Sequence, residues 1–352
     1  ASEILSYGID NGINIIDTAY PYHSAGIDGN GNSEVFIGKF LKENSYRDDV
    51  LISTKSPCWL MEEKGDFEYY LDKQLEKLQT DSIDIYLLHA LTKDDWNKVR
   101  KLRVLDFLDD SLSSGKIKHV GFSSHTEIDT FVDILDAYPK WEVVLTQMNY
   151  LDEYYQTGVM GLDELKRLNI GSMIMEPLRG GRLVQNIPLE VQKLWDSAEV
   201  KRTPVEWALE YLWNRDDVDC VLSGMNSLEQ VRQNIQIASD VKEISEHDHD
   251  LIREVARTYK TLTGNDCTCC GYCMPCPEDV DIINCFKEYN IGKMLNNPKG
   301  SALQYFTLID DDCRADSCIN CGECEFVCPQ MLDIPQELEK VDEYFGREFN
   351  HF

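Results

Sequence analysis

The chain has 352 residues, 43% hydrophobic and 10% aromatic, which excludes wholesale disorder and is enough for a large core with an appended second domain. Lys and Arg total 34 against 63 Asp and Glu, a formal charge of −29. A surface that acidic repels phosphate backbones and anionic lipid, so neither nucleic acid nor a membrane is an expected partner. No apolar run reaches the ~18 residues of a membrane span, and no basic segment precedes an apolar one as in a secretory signal.

The chain opens at Ala1 inside an amphipathic pattern (Ile4, Leu5, Tyr7, Ile9), which suggests a natural N-terminus further upstream. Short β-branched runs then predict strands at Ile13–Ile16, Val50–Thr54, Ile83–Leu88, Ile117–Phe122, Val143–Met148, Ile170–Met175 and Val218–Leu222. Their near-continuous apolar character suits strands buried on both faces. Amphipathic helices separate them. Ser33 precedes one that carries Val35, Phe36 and Phe40. Thr203-Pro204-Val205-Glu206 and Ser227-Leu228-Glu229-Gln230 read as capping boxes, the first with proline at the first helical position. A last helix, Asp248 to about Leu262, closes this region, and Thr263-Gly264-Asn265 marks a boundary. The expected domains are 1–262 and 263–352.

Repeated strand–helix units imply a parallel sheet. Seven strands after an opening helix predict an α/β fold, a (β/α)8 TIM barrel lacking its first strand in this chain. An open doubly wound sheet is the alternative, but no G-x-G-x-x-G follows a first strand.

In such a barrel chemistry sits where strands end. The polar residues there are Asp17, Lys55, His89, Ser123, Ser124, Gln147, Glu176 and Ser223. Alone, each reads as a cap, a solvated loop residue or a satisfied side chain; Asp, Lys and His at three successive strand ends favour chemistry. Tyr20 and Tyr22 follow Asp17. A phenol ordinarily titrates near ~10, so it needs help to act as an acid at neutral pH. A neighbouring ammonium favours phenolate, a carboxylate holds that ammonium in place, and an imidazole can orient a substrate oxygen. Together these groups suit proton delivery to a carbonyl.

With these residues on view, the chain resembles the aldo-keto reductases. The resemblance runs through Asn14-Ile15-Ile16-Asp17-Thr18-Ala19 with Tyr22, Ser33-Glu34 with Gly38, Ser53-Thr54-Lys55 and Asp84-Ile85-Tyr86-Leu87-Leu88-His89. It continues through Gly121-Phe122-Ser123-Ser124, Gln147-Met148-Asn149-Tyr150, Glu176-Pro177-Leu178 and Ser223-Gly224 with Asn234. It implies Tyr22 as general acid, Lys55 and Asp17 tuning it, and His89 orienting a carbonyl. It also implies a nicotinamide cofactor, NADP or NAD. Ser123 and Gln147 would hold its carboxamide, Ser124 is a further cofactor contact, and Met175 stands where the family usually places a stacking aromatic. Pro177, Leu178, Gly180, Gly181 and Arg182 would embrace the pyrophosphate, the helix starting near Ser227, with Gln230 and Asn234, would face the adenosine end, and Ser223 and Gly224 are further cofactor contacts. Ser124 replaces the usual asparagine. Gln230 replaces the arginine of NADPH-preferring members, for which Arg232 or Arg182 could substitute. The long, glycine-rich loop Ser24–Asn32 is expected to shape the substrate entrance.

Of 13 cysteines, 11 lie beyond residue 262. They fall mainly in two runs, Cys267-x-x-Cys270-x-x-Cys273-x-x-Cys276-Pro277 and Cys318-x-x-Cys321-x-x-Cys324-x-x-x-Cys328-Pro329. The second matches the bacterial ferredoxin spacing; the first ends one residue short of it. A zinc site built from C-x-x-C pairs is the alternative. Carried over from two-cluster ferredoxins, Cys267, Cys270, Cys273 and Cys328 would bind one [4Fe–4S] cluster and Cys276, Cys318, Cys321 and Cys324 another; one cluster alone is possible. Cys269, Cys285 and Cys313 are left over, and Cys58 and Cys220 read as core thiols. The whole chain resembles an aldo-keto reductase subgroup with a small, mainly α-helical, ferredoxin-type C-terminal domain.

The expectation is therefore a cytoplasmic iron–sulfur oxidoreductase that moves hydride between NAD(P)H and a small-molecule carbonyl or alcohol, with room for a redox partner protein. The alternative is an electron-transfer or scaffold protein with a silent barrel.

Overall fold

The structure is a computed structural model and describes residues 1–24 and 29–349. Part of the expected entrance loop, residues 25–28, lies outside the described residues. The chain divides into two compact units: residues 1–180 with 205–244, and residues 181–204 with 245–352.

In the first unit seven strands form one parallel sheet in strict chain order: β1 (Ile15–Asp17), β2 (Leu51–Ser56), β3 (Ile83–Leu91), β4 (Ile117–Ser124), β5 (Val143–Gln147), β6 (Gly171–Met175) and β7 (Cys220–Val221). A doubly wound sheet reverses its strand order at a switch point. No reversal occurs here, so the open-sheet alternative fails. The sheet is curled: Ile85, Leu87, Leu145 and Met173 are buried in one small cluster on which Ile15 from β1 and Cys220 from β7 both pack. Side chains from both edges of a flat sheet could not share a core in this way. Among the described residues no strand pairs between β1 and β7. Residues 2–10 are a helix packed on the helix Leu228–Ser239, not an eighth strand.

Register brings the strand ends level. Asp17 pairs with Ser53, Lys55 with Leu87, Ser123 with Leu145 and Gln147 with Met175. Between β3 and β4 the register shifts after Leu88, just at His89.

At two of the expected caps the structure differs. The helix Ser33–Asn44 begins one residue early, with Asn32 at its N-cap. Ser227 caps the helix Leu228–Ser239 by accepting the N–H of Gln230, but the Gln230 Oε1 accepts from Asn226 rather than closing the box on Ser227.

The second unit is helical. The helix Glu246–Thr261 belongs to it, capped reciprocally by Ser245 and Asp248. The helices Ile282–Met294, Pro298–Leu308 and Ile334–Phe349 enclose a core of Val280, Ile282, Phe286, Tyr305, Leu338, Val341 and Phe345. Tyr305 and Phe345 stack with ring centroids 4.3 Å apart. Among the described residues no helix is long and apolar enough to cross a membrane.

Candidate active site

Asp17, Lys55, Tyr22 and His89 come together at the C-terminal ends of β1, β2 and β3. Lys55 is buried, and its Nζ donates to Asp17 Oδ2 at 2.5 Å and to the Thr18 carbonyl at 2.7 Å. Ser53 Oγ donates to Asp17 Oδ1 at 2.7 Å, so both carboxylate oxygens are held. A buried ammonium needs polar partners, and the carboxylate and the carbonyl supply them. Its charge lies 5.0 Å from the centroid of the Tyr22 ring. Tyr22 is 41% exposed, so the phenol has partner charge beneath it and open space above.

The Tyr22 backbone is fixed by Gly31. A Cβ on Gly31 would come within 2.1 Å of the Tyr22 carbonyl oxygen, so only glycine lets the loop close this tightly. Ser33 N–H donates to that same carbonyl at 3.2 Å. Tyr20 has different neighbours: Lys77 sits 4.4 Å from its ring centroid and Tyr70 packs edge-on at 5.0 Å. Burial raises the pKa of Tyr20, the reverse of what an acid needs.

The His89 ring stands 6.2 Å from that of Tyr22 and 5.2 Å from Trp59. Burial, then the charge of Lys55, then His125, push its pKa down to about 3. The imidazole is therefore neutral at physiological pH. Its Nδ1 is buried and has no hydrogen-bond partner among the described residues.

A buried shell lies behind Lys55. Glu34 accepts from Thr54 Oγ1 (2.6 Å), Gln74 Nε2 (2.7 Å) and Lys77 Nζ (2.6 Å). Gln74 also donates to the Lys55 carbonyl at 3.0 Å and accepts from Tyr86. Of this shell the sequence motifs included Glu34 and Thr54 without a role; Gln74 and Lys77 were not singled out. Gly31, His125 and Trp59 were also not singled out.

The residues expected around a cofactor occupy the neighbouring strand ends. Ser123 Oγ accepts the Ala90 N–H at 2.7 Å, and Ser124 Oγ accepts that of Thr126 at 3.1 Å. Gln147 Nε2 donates to Asp152 Oδ2 at 2.9 Å. The same carboxylate oxygen holds Asn149 Nδ2 and, at 3.1 Å, Arg179 Nε. This ties the end of β5 to the loop after β6, where Met175 is half-buried and Pro177 buried, with Leu178 half-buried and Gly180 exposed. Ser223 and Asn234 are brought together by a 2.9 Å hydrogen bond, and Gly224 has open space at its Cα. Gln230 is engaged with Asn226, and Arg232 lies over the Tyr7 ring at 5.2 Å. Gly181 and Arg182 fall in the second unit, where Arg182 Nη2 donates to the Gly300 carbonyl at 3.3 Å.

In the second unit two cavities are lined by cysteine. One, about 200 Å³, is bordered by Cys273, Cys276, Cys318, Cys321 and Cys324. The other, about 20 Å³, is bordered by Cys267, Cys269, Cys270, Cys273 and Cys328. Among the described residues no three His, Cys, Asp or Glu side chains converge as a site for a metal ion. Of the leftover cysteines, Cys269 is exposed, Cys285 buried and Cys313 half-buried. Cys58 is buried as expected; Cys220 is only half-buried, on the edge strand β7 where one side is uncovered.

The parallel barrel-like sheet carries an Asp17–Tyr22–Lys55–His89 cluster at its strand ends. Residues 1–257 match the aldo/keto reductase family, and the chain belongs to that family of NAD(P)-dependent oxidoreductases. It is 27% identical over 268 residues to an L-galactose dehydrogenase of Arabidopsis thaliana, covering 69% of this chain and 79% of that enzyme. It is 26% identical over 294 residues to an NADH-specific methylglyoxal reductase of Escherichia coli, covering 70% and 84%. A 6-dehydroglucose reductase of Novosphingobium aromaticivorans is 28% identical over 191 residues, 52% of this chain and 60% of that protein. The fold is shared with the aldo-keto reductase AKR11C1 from Bacillus halodurans in its holo form (TM-score 0.58, 24% identity, 72% of this chain and 85% of that one). It is also shared with an aldo-keto reductase from Klebsiella pneumoniae in complex with NADPH (TM-score 0.57, 20% identity, 72% and 84%).

Proposed function

We propose that this chain reduces a small carbonyl compound, or oxidises the corresponding alcohol, with NADP(H) or NAD(H), and that residues 263–352 form a module for two [4Fe–4S] clusters beside a reductase domain of residues 1–262. The observation that carries the reductase reading is the placement of Lys55 Nζ, 2.5 Å from Asp17 and 5.0 Å from the Tyr22 ring centroid, with His89 alongside. The nicotinamide, when bound, supplies or accepts the hydride. Tyr22 gives its phenolic proton to the substrate oxygen, and the Lys55 ammonium favours the negative charge left on the phenol. Asp17 holds that ammonium in place. His89, neutral, donates a hydrogen bond to the substrate oxygen and so sets its position between the phenol and the ring. Ser123, Gln147 and the loop from Pro177 to Arg182 are the proposed cofactor contacts, with Ser223, Gly224 and Asn234 toward the adenosine.

NADP(H) is the cofactor in one relative's complex and NADH in another relative's name, so the preference is open to direct measurement. Fluorescence titration with NADPH and NADH, followed by a screen of aldehydes, ketones and sugars, tests the reading. Binding of one nicotinamide and turnover of at least one carbonyl are expected; no binding of either would overturn it.

The cluster reading is supported by cavity lining. Cys276, Cys318, Cys321 and Cys324 border one cavity and Cys267, Cys270 and Cys328 the other, with Cys273 bordering both, which agrees with the interleaving that the resemblance to two-cluster ferredoxins implies. The narrower second cavity would have to widen to admit a cluster. Thiolate ligands of this kind belong in a reducing compartment, consistent with the cytoplasm.

A further inference from the structure

The two cysteine-bearing segments combine acidic and apolar surface side chains. Residues 266–279 and 318–333 contain six acids, Asp266, Glu278, Asp279, Glu323, Glu325 and Asp333, and no Lys, Arg or His. All six acids are exposed. The same segments expose five large apolar side chains: Tyr272 (69%), Ile319 (62%), Phe326 (93%), Val327 (51%) and Met331 (89%). Tyr272, Ile319 and Val327 border the cavity of Cys276, Cys318, Cys321 and Cys324, so three of the five share one rim.

Single exposed apolar residues need no explanation, but a group of them at a rim that carries Glu278 and Glu323 marks an interaction site. We propose that this face docks a small redox protein whose cofactor edge is apolar and ringed by Lys and Arg. The inference rests on the cluster reading above, which supplies the reason for two redox surfaces to meet here. The acids steer a basic partner and fix its register, while the apolar tips exclude water at the contact. A partner with an acidic face would meet like charge on both segments.

The test uses the full chain as isolated, with cytochrome c, a lysine-ringed haem protein, as the probe, and reads binding by isothermal titration calorimetry. Binding that weakens between low salt and ~0.15 M salt is expected. The pair Tyr272→Ser with Ile319→Ser should weaken it by about tenfold or more, and Glu278→Gln with Glu323→Gln likewise, as loss of rim contacts and rim charge requires. Asp163→Asn, on the helix Gly158–Leu168 and outside both cysteine-bearing segments, should change affinity by less than about twofold. Thermal stability and iron content measured on the same samples show that each variant is folded and loaded as wild type. Absence of wild-type binding, full affinity in the apolar pair, or equal weakening by Asp163→Asn would each overturn the docking face. Binding with this pattern in protein that holds no iron would overturn the cluster reading instead and leave the face in place.

Discussion

The Ser123 hydroxyl accepts the backbone N–H of Ala90 at 2.7 Å, so a side chain expected to face the cofactor also holds the strand end that carries His89. Ala90 has φ of 47°, a left-handed conformation that a non-glycine residue adopts only when its surroundings hold it there. Removing the hydroxyl leaves that N–H unpaired next to the register shift of β3. Ser123→Ala should therefore cost about 1–2 kcal/mol in urea unfolding. It should also lower kcat, because His89 loses its fixed position, as well as weaken nicotinamide binding. An effect on cofactor affinity alone would show that Ser123 does not position His89.

Tyr22 and Tyr20 are separated by their lysines. Tyr22 faces the Lys55–Asp17 pair; Tyr20 faces Lys77, whose charge is already engaged by Glu34. Tyr22→Phe should lower kcat by ~10²–10⁴-fold with nicotinamide affinity unchanged, and Tyr20→Phe should keep activity within a few-fold. Steady-state kinetics with the best carbonyl of the screen, alongside cofactor titration, checks both.

Neutral His89 gives the protein a defined acid sensitivity. Its pKa falls from an ordinary value near ~6.5 to about 3 on folding, so between those values the unfolded chain binds a proton that the folded chain does not. Stability is therefore unaffected above about pH 6.5 and declines as the pH falls toward 3. From pH 7 to pH 5 this one group should cost about 2 kcal/mol. His89→Gln removes the titration, and its loss of stability over that interval should be smaller by about that amount. Denaturant unfolding at the two pH values decides it.

The strand ends were legible because strands buried on both faces stand out as apolar runs, and a polar residue closing such a run is conspicuous. Asp17, Lys55, His89, Ser123 and Gln147 were all found this way. The shell behind them was not legible. Glu34, Thr54, Gln74 and Lys77 lie 20 to 43 residues from their main partners and meet only when two helices pack on β2. Each alone looks like an ordinary helix or strand residue. The same holds for Gln230, which the capping pattern assigned to Ser227 and which a one-residue displacement hands to Asn226. The helix Glu246–Thr261 read as the last of the barrel because it carries the same periodicity; its grouping with residues 181–204 depends on long-range packing that no local pattern encodes.

The Glu34 shell makes its own prediction. The carboxylate is fully buried and satisfies Thr54, Gln74 and Lys77 at once. Glu34→Ala leaves the Lys77 ammonium without its carboxylate and the Thr54 hydroxyl without its acceptor, and should cost about 3–5 kcal/mol. Glu34→Gln preserves shape and some hydrogen bonds, so it should cost less. Urea unfolding of the two variants gives the order, and equal stability of Glu34→Ala and wild type would show that the shell contributes nothing.

The cluster module is tested by its ligand division. Six of the eight proposed ligands, Cys267, Cys273, Cys276, Cys318, Cys324 and Cys328, pack at the margin of the second unit's core, while Cys270 and Cys321 are exposed. If each run lends its last cysteine to the other run's triplet, Cys276 belongs with Cys318, Cys321 and Cys324, whose cavity it borders. Anaerobically purified protein should then contain about eight irons per chain and absorb broadly in the visible. Cys276→Ser should reduce the iron to about four and leave the site of Cys267, Cys270, Cys273 and Cys328 loaded. Cys285→Ser, a buried thiol that borders neither cavity, should keep the full complement. About four irons in the wild type would mean that the run with the shorter final spacing does not complete a site. Zinc with no visible absorbance would replace the iron–sulfur reading with a structural one and leave the cysteine module without a redox role.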